Sequence, residues 1–454
     1  MKIRSMFNKP IFAYLTLVGG FLVQLTLGAV YTYGNMAPYM LSYMENNTKP
    51  YNKIDSGNAM WIFGLSVFGL GATMSLGGFL VPIIGATSTI LIGSWLMSLG
   101  VITTYWTIKT CIGFVALTYG LVLGLGVGIA YGTVINIPSQ WFPESKGFTT
   151  GIVVAGFGFA PITLDFIQSY YINPNISEIH IKNTDNVPFS FVLMGSIYAI
   201  IQLIGSVLIR TPNSTPRLES AETNIRFRKI GILDSAEIQM KPIKLMFQKD
   251  FWVLWLSYTF NSCVAILVLS LHKVFGETLS IIDINLTIAS AIGAGFNGIG
   301  RIAWGFLIDK FSYKTIMTIL TLSMSLMIGT FYLCSLIPNV HQKFIMFLIW
   351  VIILHFLLSG NFSIYPVICS RTFGQENSVV NYGVLFTAYA LAGLITSSCT
   401  TVIFKMTKNH NKLNENTKSY IYLIPFLVGS ALSLLSAIVT RMYQGRNILR
   451  SRPE

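Results

Sequence analysis

Three ionisable side chains, Arg301, Asp165 and His355, lie inside long apolar runs of this sequence. At the centre of a hydrocarbon layer such a group costs at least about 2.5–3.5 kcal/mol, so each is a functional candidate by default. Arg301 is the clearest. It stays protonated, and its planar fork matches a carboxylate bidentately where a lysine would not. It precedes Asp309 by eight residues, about 12 Å along a helix, so it lies deep if that run is helical. A fixed cation at such a depth attracts a small organic anion, whose arrival neutralises the charge. Asp165 and His355 are the groups able to hold a proton, His355 having a reference pKa near neutrality. Each has a plainer alternative. Arg301 would pair with carbonyls or snorkel, Asp165 would be solvated at an interface, and His355 would be a packed, hydrogen-bonded ring. No intramembrane carboxylate pair, zinc-ligand cluster or serine–histidine arrangement is visible, so neither catalytic residues nor a metal or cofactor is expected. Cys111, Cys263, Cys334, Cys369 and Cys399 are scattered without paired spacing.

The elements that must position these residues are set by composition. The 454 residues are 53% hydrophobic and only 10% charged, with a mean hydropathy of +0.63, whereas soluble domains carry about 25% charged residues. Apolar runs fall at 11–36, 59–81, 88–108, 112–137, 147–172 and 188–209. After a polar stretch from Arg210 to Asp250 come six more, at 251–271, 284–308, 315–336, 343–367, 382–404 and 420–440. Each is long enough to cross a bilayer as a helix, and none alternates as a barrel strand would. The expectation is an all-α membrane protein of twelve transmembrane helices in two six-helix bundles. An N-tail (1–10), a first bundle (11–209), a linker (210–250), a second bundle (251–440) and a C-tail (441–454) follow in order. A disordered chain, a disulfide-stapled secreted domain and a nucleic-acid binder are all disfavoured, and a functional monomer is expected.

The net charge of +13 follows from topology. With both termini in the cytoplasm, 19 basic residues lie inside and ten outside, Arg301 being within a span. The start, Met1-Lys-Ile-Arg4, runs into a segment that reads as a first span and not as a cleaved signal. The linker, with Arg226, Arg228 and Lys229, reads as a tether whose charges suit an anionic inner leaflet. Asn46 and Asn175 head glycosylation sequons on outer loops. The same pattern at Asn213 falls on the inner side, which makes the signal weak. A plasma membrane is preferred over an organelle membrane.

The two halves echo each other. Gly78-Phe-Leu-Val-Pro82-Ile83 follows the second span and Gly305-Phe-Leu-Ile-Asp309-Lys310 the eighth. Gln140-Trp-Phe-Pro143 and Arg371-Thr-Phe-Gly374 stand between spans 4 and 5 and spans 10 and 11, each followed by a glycine, Gly151 and Gly383. Such parallel repeats are the mark of a duplicated six-helix unit.

The Gly-x-x-x-Asp-Lys turn resembles the loop signature of the major facilitator superfamily. Further stretches are Leu27-Gly-Ala-Val-Tyr31-Thr-Tyr33, Gly128-Ile-Ala-Tyr131-Gly132 running on to Trp141-Phe-Pro143, Asn297-Gly-Ile-Gly-Arg301, and Asn381-Tyr-Gly383. Together they resemble the oxalate/formate antiporter family and the related monocarboxylate transporters. The resemblance implies that Arg301 takes part in substrate binding, that Tyr31, Tyr33 and Tyr131 line the cavity, and that the Asp309-Lys310 turn gates one access state. Two departures matter. Tyr389 stands where oxalate-exchanging members carry a lysine, at about the depth of Arg301. Asn297 stands where proton-linked relatives carry an aspartate, and it cannot titrate. One cation instead of two argues against a dianion.

The expectation is therefore an alternating-access transporter of small organic anions, most of all monocarboxylates, with substrate between the bundles near Arg301. A transporter of another solute (nucleoside, vitamin or drug-like), with Arg301 structural, is the second reading. A non-transporting membrane sensor is the third.

Overall fold

A computed structural model describes residues 9–47, 56–173, 185–212, 240–409 and 419–445. Among them are twelve helices long and apolar enough to cross a membrane. Spans 1 to 6 are Ile11–Asn47, Ala59–Ile84, Ala86–Thr107, Ile112–Trp141, Pro143–Ile172 and Val187–Leu208. Spans 7 to 12 are Lys249–Thr278, Ile284–Lys310, Tyr313–Leu336, Val340–Phe373, Ser378–Ile403 and Leu423–Arg441. Large apolar side chains such as Leu326 and Ile438 face outward, as lipid-facing positions must. Linker residues 213–239, with Arg226, Arg228 and Lys229, lie outside the described residues, as do the sequon at Asn175 and the basic ends of both tails.

Several spans outrun the apolar runs that announce them. Span 1 continues past residue 36 through a 3-10 turn at Gly28–Thr32 into Tyr33–Asn47. The run is followed by Ala37-Pro38-Tyr39-Met40, and the helix continues through Pro38; just before it the side chain of Asn35 donates to Ser169 Oγ of span 5 (3.1 Å). The turn coincides with Gly28, which lies against the backbone of Phe157 so closely that a β-carbon would collide with it. Span 7 likewise runs on past residue 271, carrying His272 and Lys273 into the helix.

Both described chain ends lie on one face, here the terminal face. Trp141 Nε1 donates to the Arg210 carbonyl (2.8 Å), Met240 N to Phe373 O (3.0 Å), and Gln444 N to Asp250 Oδ1 (2.9 Å). The halves meet along two seams, span 2 with span 11 and span 5 with span 8. Their glycines explain the closeness. Gly147 and Gly305 face each other, and a β-carbon on either would strike the other's carbonyl oxygen. Gly151 lies against the Arg301 carbonyl, as its counterpart Gly383 lies against the backbone of Ser75. The repeat visible in the sequence thus places equivalent glycines at equivalent seams, where helices approach without side chains between them.

Candidate functional site

Arg301 is the largest side chain of the core that is fully buried, with 0% exposure. Span 8 carries it to the seam with span 5, and its hydrogen-bond partners are neutral. Nε donates to Asn297 Oδ1 one turn earlier (3.0 Å), and Nη1 donates to the Val154 carbonyl of span 5 (3.0 Å). Asn297 is oriented in turn by donating to the His355 carbonyl (3.4 Å). Rings of Phe362 and Phe157 lie 4.5 and 5.2 Å from the guanidinium carbon. Nη2 is buried and makes no hydrogen bond of regular geometry. Desolvated cation–π contacts are each worth about 2 kcal/mol, and a buried unpaired ion costs several. The site is thus an incompletely neutralised cation with one open corner.

Tyrosines surround that corner. The hydroxyls of Tyr31, Tyr131 and Tyr389 all lie within electrostatic reach of Arg301. Those of Tyr31 and Tyr131 are buried without a hydrogen bond of regular geometry. Tyr31 and Tyr131 stand edge-on to Phe157 (4.9 and 5.6 Å), and Tyr389 edge-on to Phe362 (5.5 Å). Phe386 closes the ring, 5.0 Å from Tyr389 and 5.8 Å from Tyr131. Spans 1, 4, 5, 8, 10 and 11 therefore converge on one point, three from each half. Phe157, Phe362, Phe386 and the Val154 carbonyl belong to this site, although sequence reasoning had not singled them out. Phe157 could have been suspected from Gly156-Phe157-Gly158, a large ring between two glycines on a seam helix.

Other candidates lie elsewhere. Tyr33, expected in the cavity lining, is a tie between spans 1 and 2: its hydroxyl donates to the Ala59 carbonyl and its ring stacks on Phe63. Two residues on from Tyr31, it faces a different neighbour. The ring of His355 is buried inside the second half, against Gly293. Its Nδ1 must carry a proton, since it meets the Val351 carbonyl at 2.9 Å, and its ring stands edge-on to His272 at 5.2 Å. Asp165 is half-buried, with one buried carboxylate oxygen lacking a hydrogen bond, and it interacts electrostatically with Lys273 across the halves. Neither belongs to the ring around Arg301.

Asp309 joins the halves at the terminal face. Its oxygens accept from the backbone N–H groups of Gly147 (2.9 Å) and Phe148 (2.8 Å), the first turn of span 5. A helix start has unsatisfied donors and a partial positive charge, so a carboxylate from the other half fastens it. Arg371 holds the same carboxylate at 2.6 Å. Lys310 lies 4.1 Å over the Phe306 ring, which in turn stands edge-on to Phe148 of span 5 at 6.1 Å. In the first half, Pro82-Ile83 cannot make this contact. There Ser378 at the start of span 11 donates to Asn136 Oδ1 (2.8 Å), and Lys146 donates to Gln375 (2.6 Å). Neutral and amide–ammonium ties stand in for the missing carboxylate.

The family model of the Major Facilitator Superfamily matches residues 12–397, and the chain belongs to that family. It is a membrane transporter of small molecules, not an enzyme. The chain is 24% identical to apicoplast pyruvate carrier 1 of Toxoplasma gondii, over 82% of this chain and 80% of that one. It is 27% identical to the oxalate:formate antiporter of Oxalobacter formigenes, over 70% and 69%. Among solved structures, the proton:xylose symporter XylE of E. coli bound to 6-bromo-6-deoxy-D-glucose superposes with a TM-score of 0.68 at 15% identity, covering 95% of this chain and 96% of that one. That likeness supports the fold alone.

Proposed function

We propose that the protein carries small monocarboxylates by alternating access, with the carboxylate held between Arg301 and the hydroxyls of Tyr31 and Tyr131. The observation that carries this reading is the Nη2 of a wholly buried arginine beside two buried tyrosine hydroxyls, none of the three making a hydrogen bond of regular geometry. An anion completes all three at once, and a charge-assisted hydrogen bond is worth about 1.5–3 kcal/mol. Tyr389 adds a hydroxyl and no charge, so a dianion would leave one negative charge buried; monoanions fit better. The names of the pyruvate and oxalate:formate relatives agree with a carboxylate cargo. Asn297 supplies an amide where a titrating group would couple anion to proton, which favours exchange or facilitated diffusion. The 19-to-ten distribution of basic residues supports a cytoplasmic terminal face. Radiolabelled pyruvate uptake into proteoliposomes tests the reading. Arg301→Ala is expected to abolish it and Arg301→Lys to leave a small fraction. Unchanged uptake in both would make Arg301 structural and favour another solute.

A further inference from the structure

A second polar space lies between the halves, nearer the terminal face. It encloses about 30 Å³ between spans 4, 5, 10 and 11, and its polar lining includes Asn136, Ser139, Lys146, Thr150, Ser370 and Tyr382. A water needs about 10–15 Å³ of such space, so in this closed arrangement it admits two or three waters or the carboxylate end of an anion, the rest of which would lie outside it. Among the described residues that line it, Lys146 alone is charged. The Tyr382 hydroxyl is buried without a hydrogen bond of regular geometry. That hydroxyl also lies within electrostatic reach of Arg301 and Tyr131, and its ring stands 5.5 Å from Phe386. Tyr382 therefore borders both the Arg301 site and this space. The ties at its edge, Ser378 to Asn136 and Lys146 to Gln375, join the halves near the terminal face, as Asp309 does at the other seam.

We propose that this space is a second carboxylate site, a way-station that the anion occupies between Arg301 and the terminal face, with Lys146 supplying the charge. The inference rests on the carboxylate reading above. An anion leaving Arg301 gives up a strong contact, and a second cation a few side chains further on lowers the barrier to departure. Arrival at Lys146 competes with Gln375 for the ammonium, so occupancy of the station loosens a contact that closes the exit.

The test measures half-saturating pyruvate concentrations separately at each face, in whole cells and in inside-out vesicles expressing the full chain. Lys146→Gln is expected to raise the terminal-face value about tenfold, the loss of one charge-assisted contact, and to change the opposite-face value less than about twofold. Lys146→Arg should restore the terminal-face value. Gln375→Ala removes the same tie but keeps the charge, and should not raise it. Ser139→Leu, which fills the space without touching Lys146's charge, should give the same one-sided loss if Lys146→Gln does not accumulate. Equal changes at both faces, no change, or an equal effect of Gln375→Ala would overturn the proposal while leaving the Arg301 reading intact. Absence of pyruvate transport by the unaltered protein at either face would overturn both.

Discussion

Replacing Asp309 by asparagine should release the terminal face. In the closed arrangement the carboxylate accepts from two backbone N–H groups of span 5 at 2.9 and 2.8 Å, and these bonds exist only while spans 5 and 8 are together. Asparagine keeps one acceptor and turns an amide N–H₂ toward the second donor. The loss is one charge and one charge-assisted bond, about 1.5–3 kcal/mol. Because water solvates the carboxylate once the halves part, the loss falls on the closed state. It corresponds to a shift of about 10- to 150-fold toward the open one. Arg371→Gln is the contrasting variant. Its partner Asp309 belongs to the same half and the arginine is 38% exposed, so the pair persists in both states and contributes about 0–1 kcal/mol. The assay is the rate at which a membrane-impermeant maleimide, applied from the terminal face, labels Ser370→Cys in a background without the five native cysteines. Asp309→Asn should accelerate labelling at least about tenfold and Arg371→Gln by less than about fivefold. Equal rates with and without Asp309→Asn would refute the claim that this carboxylate holds the face shut.

Further expectations follow from the same geometry. Tyr31→Phe and Tyr131→Phe remove hydroxyls that make no hydrogen bond of regular geometry in the folded protein, so thermal stability should hold while half-saturating pyruvate rises about three- to tenfold. Tyr33→Phe should do the reverse, costing about 1 kcal/mol of stability through the lost Ala59 contact with little change in transport kinetics. Asn297→Asp places a carboxylate where an amide oxygen now lies 3.0 Å from Arg301. Uptake should fall at neutral pH and recover as acidification protonates the new group, a dependence read from a pH series of initial rates. Gly305→Val forces a side chain against the Gly147 carbonyl, so that variant should label as if open at the terminal face and lose net transport.

Much of this was legible from the residues, for identifiable reasons. Twelve spans and the 6+6 repeat follow from hydrophobicity and from turn sequences, which are local. Arg301 stands out because a charge in an apolar run is conspicuous, and Tyr389 falls beside it because depth in a helix is simple counting. What stayed hidden depends on which way a helix faces. With aromatic residues at 13% of the chain, nothing local separates Phe157, Phe362 and Phe386 from rings that merely pack. Tyr31 and Tyr33, two residues apart, point to different neighbours after a 3-10 turn that changes the register. Span ends differ because a helix does not stop where hydropathy falls: span 1 continues through Pro38 to Asn47, and span 7 runs past residue 271 and brings in His272 and Lys273. The substitute for the first half's missing carboxylate needed the fold, because Ser378 and Asn136 are 242 residues apart.

The central claim is that one buried cation between the halves carries monocarboxylates. It is tested most directly by counterflow into proteoliposomes holding unlabelled pyruvate, with labelled pyruvate, lactate, formate and oxalate outside in turn. The three monocarboxylates are expected to accumulate, oxalate poorly, and Arg301→Gln to abolish all accumulation. Oxalate accumulating as well as pyruvate, or no carboxylate accumulating at all, would contradict it.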